Sequence, residues 1–227
     1  DIPESVIHLN LGRTFNQILK KGDIPNSVIC LHLGDNFNQP LKEGDIPNSV
    51  THLFFGDKFN QPLHPGNIPN SVEYIDFSGG YFNQPLKPGV IPNSVKSLSL
   101  SYCFNQPLKK GSIPYGVRYL MLSNEFNQPL KNVIPNSVKS LVFTGEYNQE
   151  LKKGDIPNSV THLTFGYDFS QELEEGIIPN SVTHLTFEGF SYVSLKEGDI
   201  PNSVTHLIFE NNFDDEKEEG IIPNSVT

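Results

Sequence analysis

Tryptophan is absent from these 227 residues, methionine occurs once, and cysteine occurs only at Cys30 and Cys103. Two thiols make at most a thin staple for a chain of this size. The reducing interior of a cell is the simpler setting, so a cytoplasmic location is expected. Long apolar runs are missing as well. The longest, Val28–Leu31 and Tyr119–Leu122, are four residues, far short of the ~20 that a membrane helix needs. No charged stretch followed by an apolar one opens the chain, and no Asn-x-Ser/Thr acceptor occurs. A signal peptide and a secreted glycoprotein are therefore not expected. Gly and Pro are plentiful at 18 each, and each breaks a helix interior, which leaves little room for long helices.

Basic charge is scarce, and unevenly so. Residues 1–113 balance nine basic against nine acidic groups, whereas residues 114–227 hold seven against seventeen and carry the whole net charge of −10. That second half repels a nucleic-acid duplex or an anionic lipid surface, so neither nucleic acid nor membrane is expected as a partner.

What is present is a repeat. Ile-Pro recurs at Ile2, Ile24, Ile46, Ile68, Ile91, Ile113, Ile134, Ile156, Ile178, Ile200 and Ile222, at intervals of 22 with one of 23 and one of 21. Ten complete units and the start of an eleventh fill residues 1–227 without a linker, which makes one repeat domain. With Ile as position 1, a typical unit reads I-P-N-S-V-T-H-L-x-F-G-x-x-F-N-Q-P-L-K-E-G-D. Positions 1, 5, 8, 10, 14 and 18 are dependably apolar. Pro at 2 and often at 17, with Gly at 21, rule out one amphipathic helix. The alternation at positions 6–10 has the period of a short strand. A single unit cannot bury six apolar side chains, but stacked coils can cover one another.

The segment V-x-x-L-x-L/F at positions 5–10 resembles the first half of a leucine-rich-repeat signature. The expected fold is an all-β solenoid, a right-handed coil with one short parallel strand per repeat at positions 7–10. Its coils would stack ~4.8 Å apart, and its outer face would be extended and turn-rich. Asn fills position 3 in nine of eleven cases and position 15 in seven of ten. Both columns read as buried amide ladders that satisfy the backbone of neighbouring coils. The strings F-N-Q-P-L and I-P-N-S-V at this spacing are similar to the FNIP repeat family, over essentially the whole chain. That family is grouped with leucine-rich repeats and is known mainly from amoebae and their large DNA viruses. The resemblance implies a solenoid. In members that carry an N-terminal F-box it also implies target selection for a cullin-type ubiquitin ligase; these residues contain no F-box. Departures fall late: Ser170 and Asp214 replace Asn at position 15, Phe190 comes one residue early, and Lys217 stands where Leu is expected. The last two coils are expected to pack differently.

Catalysis needs unlike residues converging on a point, whereas a repeat makes columns of like residues. The strongest column is position 7, with His8, His52, His162, His184 and His206. No Cys or carboxylate accompanies it at ligand spacing, and a flat column rarely encloses an ion, so surface histidines are the expected reading. The partial Thr array at positions 6 and 9 is too short and too interrupted for an ice-binding face. Ser-Val is framework, the glycines punctuate turns, and Cys30 and Cys103 lie three coils apart, beyond disulfide reach. No enzyme activity, metal or cofactor is expected.

The sheet face, taken as positions 6, 7, 9 and 11, remains. Its middle coils depart from the pattern together, at Tyr74, Asp76, Lys96, Arg118, Tyr119, Met121 and Lys139. Lys96, Arg118 and Lys139 read as a basic stripe flanked by tyrosines, and Tyr, Arg and Met are the types that anchor interfaces. Both length irregularities fall nearby, near Gly79–Tyr81 and after Asn132. The expected function is a non-catalytic module that binds a protein or peptide on this face, with drift among redundant repeats as the plain alternative. An acidic cluster (Asp214, Asp215, Glu216, Glu218 and Glu219, with Glu172, Glu174 and Glu175 two coils earlier) reads as a solubilising edge, with docking of a basic partner or weak Ca²⁺ binding as the alternative. Neither end reads as a polar cap, so either flanking sequence or end-to-end self-association, as in a fibre or virion component, is expected.

Overall fold

The computed structural model describes residues 2–145, 147–167, 169–188, 195–210 and 220–227. Each repeat contributes one strand at the expected place: β1 (His8–Asn10), β2 (Cys30–His32), β3 (His52–Phe54), β4 (Tyr74–Asp76), β5 (Ser97–Ser99), β6 (Tyr119–Leu122), β7 (Ser140–Phe143), β8 (His162–Phe165), β9 (His184–Phe187) and β10 (His206–Phe209). They form one parallel ten-stranded sheet in sequence order. Among the described residues there is no helix, and so none long and apolar enough to cross a membrane.

Strand register survives both irregular repeats. Tyr74 pairs with Ser97 across the long coil and Tyr119 with Ser140 across the short one. The corners absorb the difference. The extra residue sits in the turn after β4, where Tyr81 N donates to Asp57 O. The missing residue is taken from the turn before Ile134. There Val133 N donates to Leu130 O, and Asn132 adopts φ 58° where other coils have a positive-φ glycine. Asn is the residue that tolerates this region best after Gly.

Inside, the apolar columns stack. Position 5 is fully buried from Val28 to Val204, and the rings of Phe37, Phe59, Phe82, Phe104 and Phe126 are buried at position 14. Each such side chain removed from water contributes about 1.5–3 kcal/mol. Neighbouring rings in this column are 5.9–6.2 Å apart. On the outer sheet surface, stacked His162, His184 and His206 are 4.2–4.3 Å apart. These histidines stack more closely than the rings of the far wall, as a solenoid with its sheet on the concave side requires.

One expected ladder is present and the other is replaced. At position 15, Asn60 Oδ1 accepts from both Asn83 N and Gln84 Nε2, and the same pair of bonds recurs from Asn38 to Asn127. The pattern changes at Ser170, where Gln171 bonds Tyr147 O and Leu151 N instead. Position 3 is no ladder: Asn26, Asn48, Asn70 and the other asparagines of that column are exposed. They occupy the outer bend of the turn closed by position 5 N to position 2 O, as from Val28 to Pro25. The adjacent serine does the bridging, with Ser27, Ser49, Ser71 and Ser94 donating to Val O of the previous coil at 2.6–2.7 Å.

Candidate functional site

Strand alternation sends positions 8 and 10 inward and positions 7 and 9 onto the concave face. The expected face of positions 6, 7, 9 and 11 therefore narrows. Position 11 turns inward in the middle coils, where buried Ser101 and Ser123 donate to Phe82 O and Phe104 O. Position 6 precedes each strand and lies at the corner of the coil. There Arg118 Nη1 donates to Tyr115 O and Ser137 O at 3.2 and 3.3 Å.

Of the seven residues singled out in the sequence, Tyr74 and Asp76 on β4 and Tyr119 and Met121 on β6 face the concave side. Between them β5 offers only Ser97 and Ser99. Ser99 is just 5% exposed although it lies on the outer side of the sheet. Tyr74 Oη donates to Asp76 Oδ2 at 3.2 Å, and Ser78 N donates to Asp76 Oδ1 at 2.7 Å. Burial pushes the phenol pKa of both tyrosines up, and the Asp76 carboxylate adds to this in each case. Tyr74 and Tyr119 thus flank Ser97, and Asp76 and Met121 flank Ser99, with the one carboxylate close enough to act on both phenols. Lys96, Arg118 and Lys139 line the adjoining corner instead. Lys96 Nζ pairs with Glu73 at 2.7 Å, largely in solvent, where such a pair contributes little.

A second aromatic group, of which the sequence had singled out only His52 as part of the histidine column, adjoins the first. His32 and Phe54 stack at 4.0 Å, and Phe54 and His52 pack on Tyr74 at 5.2 and 5.7 Å. The available signal was aromatics at positions 7 and 9 of consecutive coils. The rings stack along the sheet, so solvent meets their edges rather than their faces.

The His column forms a stack at its C-terminal end, each Nδ1 held at 2.9 Å by the preceding Thr hydroxyl. Among the described residues, no group of three His, Cys, Asp or Glu is placed to hold a metal ion. Burial lowers the His184 pKa below its ordinary 6.5, and His162 and His206 add to the effect. A base with a depressed folded-state pKa makes the unfolded chain take up the proton first, so stability is full above about pH 6.5 and declines below it. The urea midpoint of coils eight to ten should fall between about pH 7.5 and pH 5, and less so in His184→Gln. Equal acid slopes for the two proteins would contradict this.

Cys30 and Cys103 are free thiols. Glu172, Glu174 and Glu175 are exposed, and Lys196 pairs with Glu172 at 3.5 Å. The rest of the acidic cluster, Asp214 to Glu219, lies outside the described residues, as do Phe190 and Lys217.

Comparison with known proteins adds three findings. The FNIP repeat pattern matches residues 15–58, 59–103, 104–145, 147–190 and 193–227. The crystal structure of CroV588, described as a novel circular LRR protein, is similar with a TM-score of 0.75 and 36% sequence identity. That similarity covers 100% of this chain and 40% of that one, so the chain spans well under half of its neighbour's length. No curated protein matches.

Proposed function

Since this chain belongs to the FNIP repeat family, we propose that it is a non-catalytic protein-interaction module whose concave face binds a protein or peptide across coils four to seven. Repeat solenoids of this type are generally non-enzymatic, and they expose long concave surfaces that suit partner binding. The observation that carries the reading is the dip at β5, where Ser97 lies between Tyr74 and Tyr119 and buried Ser99 lies between Asp76 and Met121. Met121 extends the apolar wall, while Lys96, Arg118 and Lys139 supply charge at its edge. Rigid aromatic and Arg anchors around a small-residue floor are the arrangement that carries binding energy in interfaces. In a larger chain of F-box type, the same face would select targets.

Replacing Tyr119 and Arg118 together by Ala should reduce capture of the partner to background. Thermal stability should hold, because Tyr119 stands outside the core and Arg118 is exposed. Undiminished capture by the double variant would reject the site.

A further inference from the structure

Residues 87–153 carry nine basic side chains and only three acidic ones, Glu125, Glu146 and Glu150. That is a net charge of +6 inside a chain of −10. The coil geometry gathers part of this charge along one corner, between the position-20 turn and the position-3 bend. Position 21 is glycine, so the side chain at position 20 lies across the next coil. Lys153 approaches within 3.3 Å of where a Cβ on Gly176 would stand, and Lys21 covers Gly44 in the same way. Where position 21 is glycine the corner is an open groove, whereas at coil six Asn132 stands in that place. It holds about 1030 Å³ along coils one to four, about 480 Å³ at coils seven and eight, and about 990 Å³ along coils eight to ten. Asn136, Lys139, Gly154 and Asn158 are among the residues lining the middle stretch.

The asparagine column of position 3 forms one rim of this groove, and nothing inside the molecule accounts for it. Its side chains are exposed, and none makes a hydrogen bond among the described residues. Nor does the backbone demand Asn there, since Asn132 is the non-glycine residue with positive φ. Yet Asn persists in nine of eleven repeats, while position 9, on the outer side of the sheet and mostly half-buried, has drifted through nine residue types in ten coils. Within one chain, constancy at a fully exposed position beside drift at a more buried one points to a ligand for the constant one. The column breaks at Tyr115, which is 67% exposed in the middle of the basic zone. Arg118 grips the carbonyl of the same residue.

We propose that this corner, from coil five to the edge of coil eight that Lys153 overlies, is a docking surface for an acidic, extended peptide segment of a partner protein. The amides of Asn93, Asn136 and Asn158 bond its backbone, and Lys110, Lys139 and Lys153 pair with its carboxylates. These three lysines are exposed and form no ion pair with a described residue. Three coil spacings span ~14 Å, enough for four or five extended residues at ~3.3 Å each. A short acidic segment fits inside the positive zone, whereas a long polyanion would run onto coils of opposite potential. The groove is separate from the concave face: Lys110 and Lys153 belong to it alone, Tyr74 and Met121 to the face alone.

The test is fluorescence anisotropy with a labelled peptide in which Glu alternates with Ser, alongside its Gln counterpart and a single-stranded oligonucleotide of equal length. The Glu peptide should bind the intact chain, and added salt should weaken it. Reversing Lys110, Lys139 and Lys153 together to Glu should weaken it by at least about tenfold, as should Asn136→Ala with Asn158→Ala, while Tyr74→Ala with Met121→Ala should leave it unchanged. Absence of binding, equal binding of the Gln peptide, equal binding of the oligonucleotide, or indifference to the lysine reversals would overturn the proposal.

Discussion

Phe104→Ala is expected to destabilise the protein by roughly 3–5 kcal/mol, the range for deleting a fully buried aromatic ring. Phe104 has 0% exposure and stands midway in the position-14 column, 6.2 Å from both Phe82 and Phe126. In a solenoid, stability resides in each unit and in its two neighbouring interfaces. The cavity left by Phe104 would open on both sides at once. The coils on either side should then unfold in separate steps, so urea unfolding followed by hydrogen exchange should show two transitions instead of one. Phe15 has a ring neighbour at Phe37 and is only partly buried, so the same change there should cost clearly less. A loss at Phe104 of less than ~1 kcal/mol would show that the ring column is not the main support of the fold.

Restoring the repeat's own serine at coil six should harm the protein. Gly116→Ser returns position 4 to the residue found in the other coils, and changes of that consensus kind commonly stabilise by about 0.5–2 kcal/mol. Here the backbone has moved too close. A Cβ at Gly116 would sit 2.0 Å from Asn93 O and 2.6 Å from Val95 O, and backbone oxygens cannot swing aside as a side chain can. Overpacking of this type costs about 1–3 kcal/mol. The next coil bears the mark of the same shift. Ser137 is buried and its hydroxyl has no partner among the described residues, whereas Ser159, Ser181 and Ser203 reach Val O of the previous coil at 2.6–2.8 Å. A raised urea midpoint for Gly116→Ser would mean that the coil-six corner relaxes to the common geometry. Its glycine would then be drift rather than part of a distinct surface.

These two positions mark how far the sequence could be read. Period and apolar pattern sufficed for the Phe104 column, because six apolar positions in 22 can be buried only by stacking and Pro, Gly and spacing leave one route for the chain. Strand placement at positions 7–10 and the Asn ladder of position 15 followed from the same reasoning. Gly116 could not be weighed that way. It reads as a lost serine, and its close approach to Asn93 and Val95 depends on where a different coil lies.

The candidate site divides along the same line. Tyr74, Asp76, Tyr119 and Met121 were visible as departures from the repeat, and strand alternation brings them to one face. Lys96, Arg118 and Lys139 looked like part of that face, because a repeat position carries no direction until the strand boundary is known. One residue before the strand, the chain is still turning, and their side chains project at the corner. The two asparagine columns were indistinguishable as letters, yet Asn60 bridges coils and Asn48 meets water.

Composition and period by themselves determined that this chain stacks coils, how many, and which side chains fill them, since burying apolar surface at a fixed interval admits one kind of solution. Tertiary structure alone decided which polar columns turn inward, where the arc bends, and that lysines and asparagines distant in sequence share one groove. Those outcomes depend on the angle of each corner, and the corner angle is set by the contact of one coil with the next.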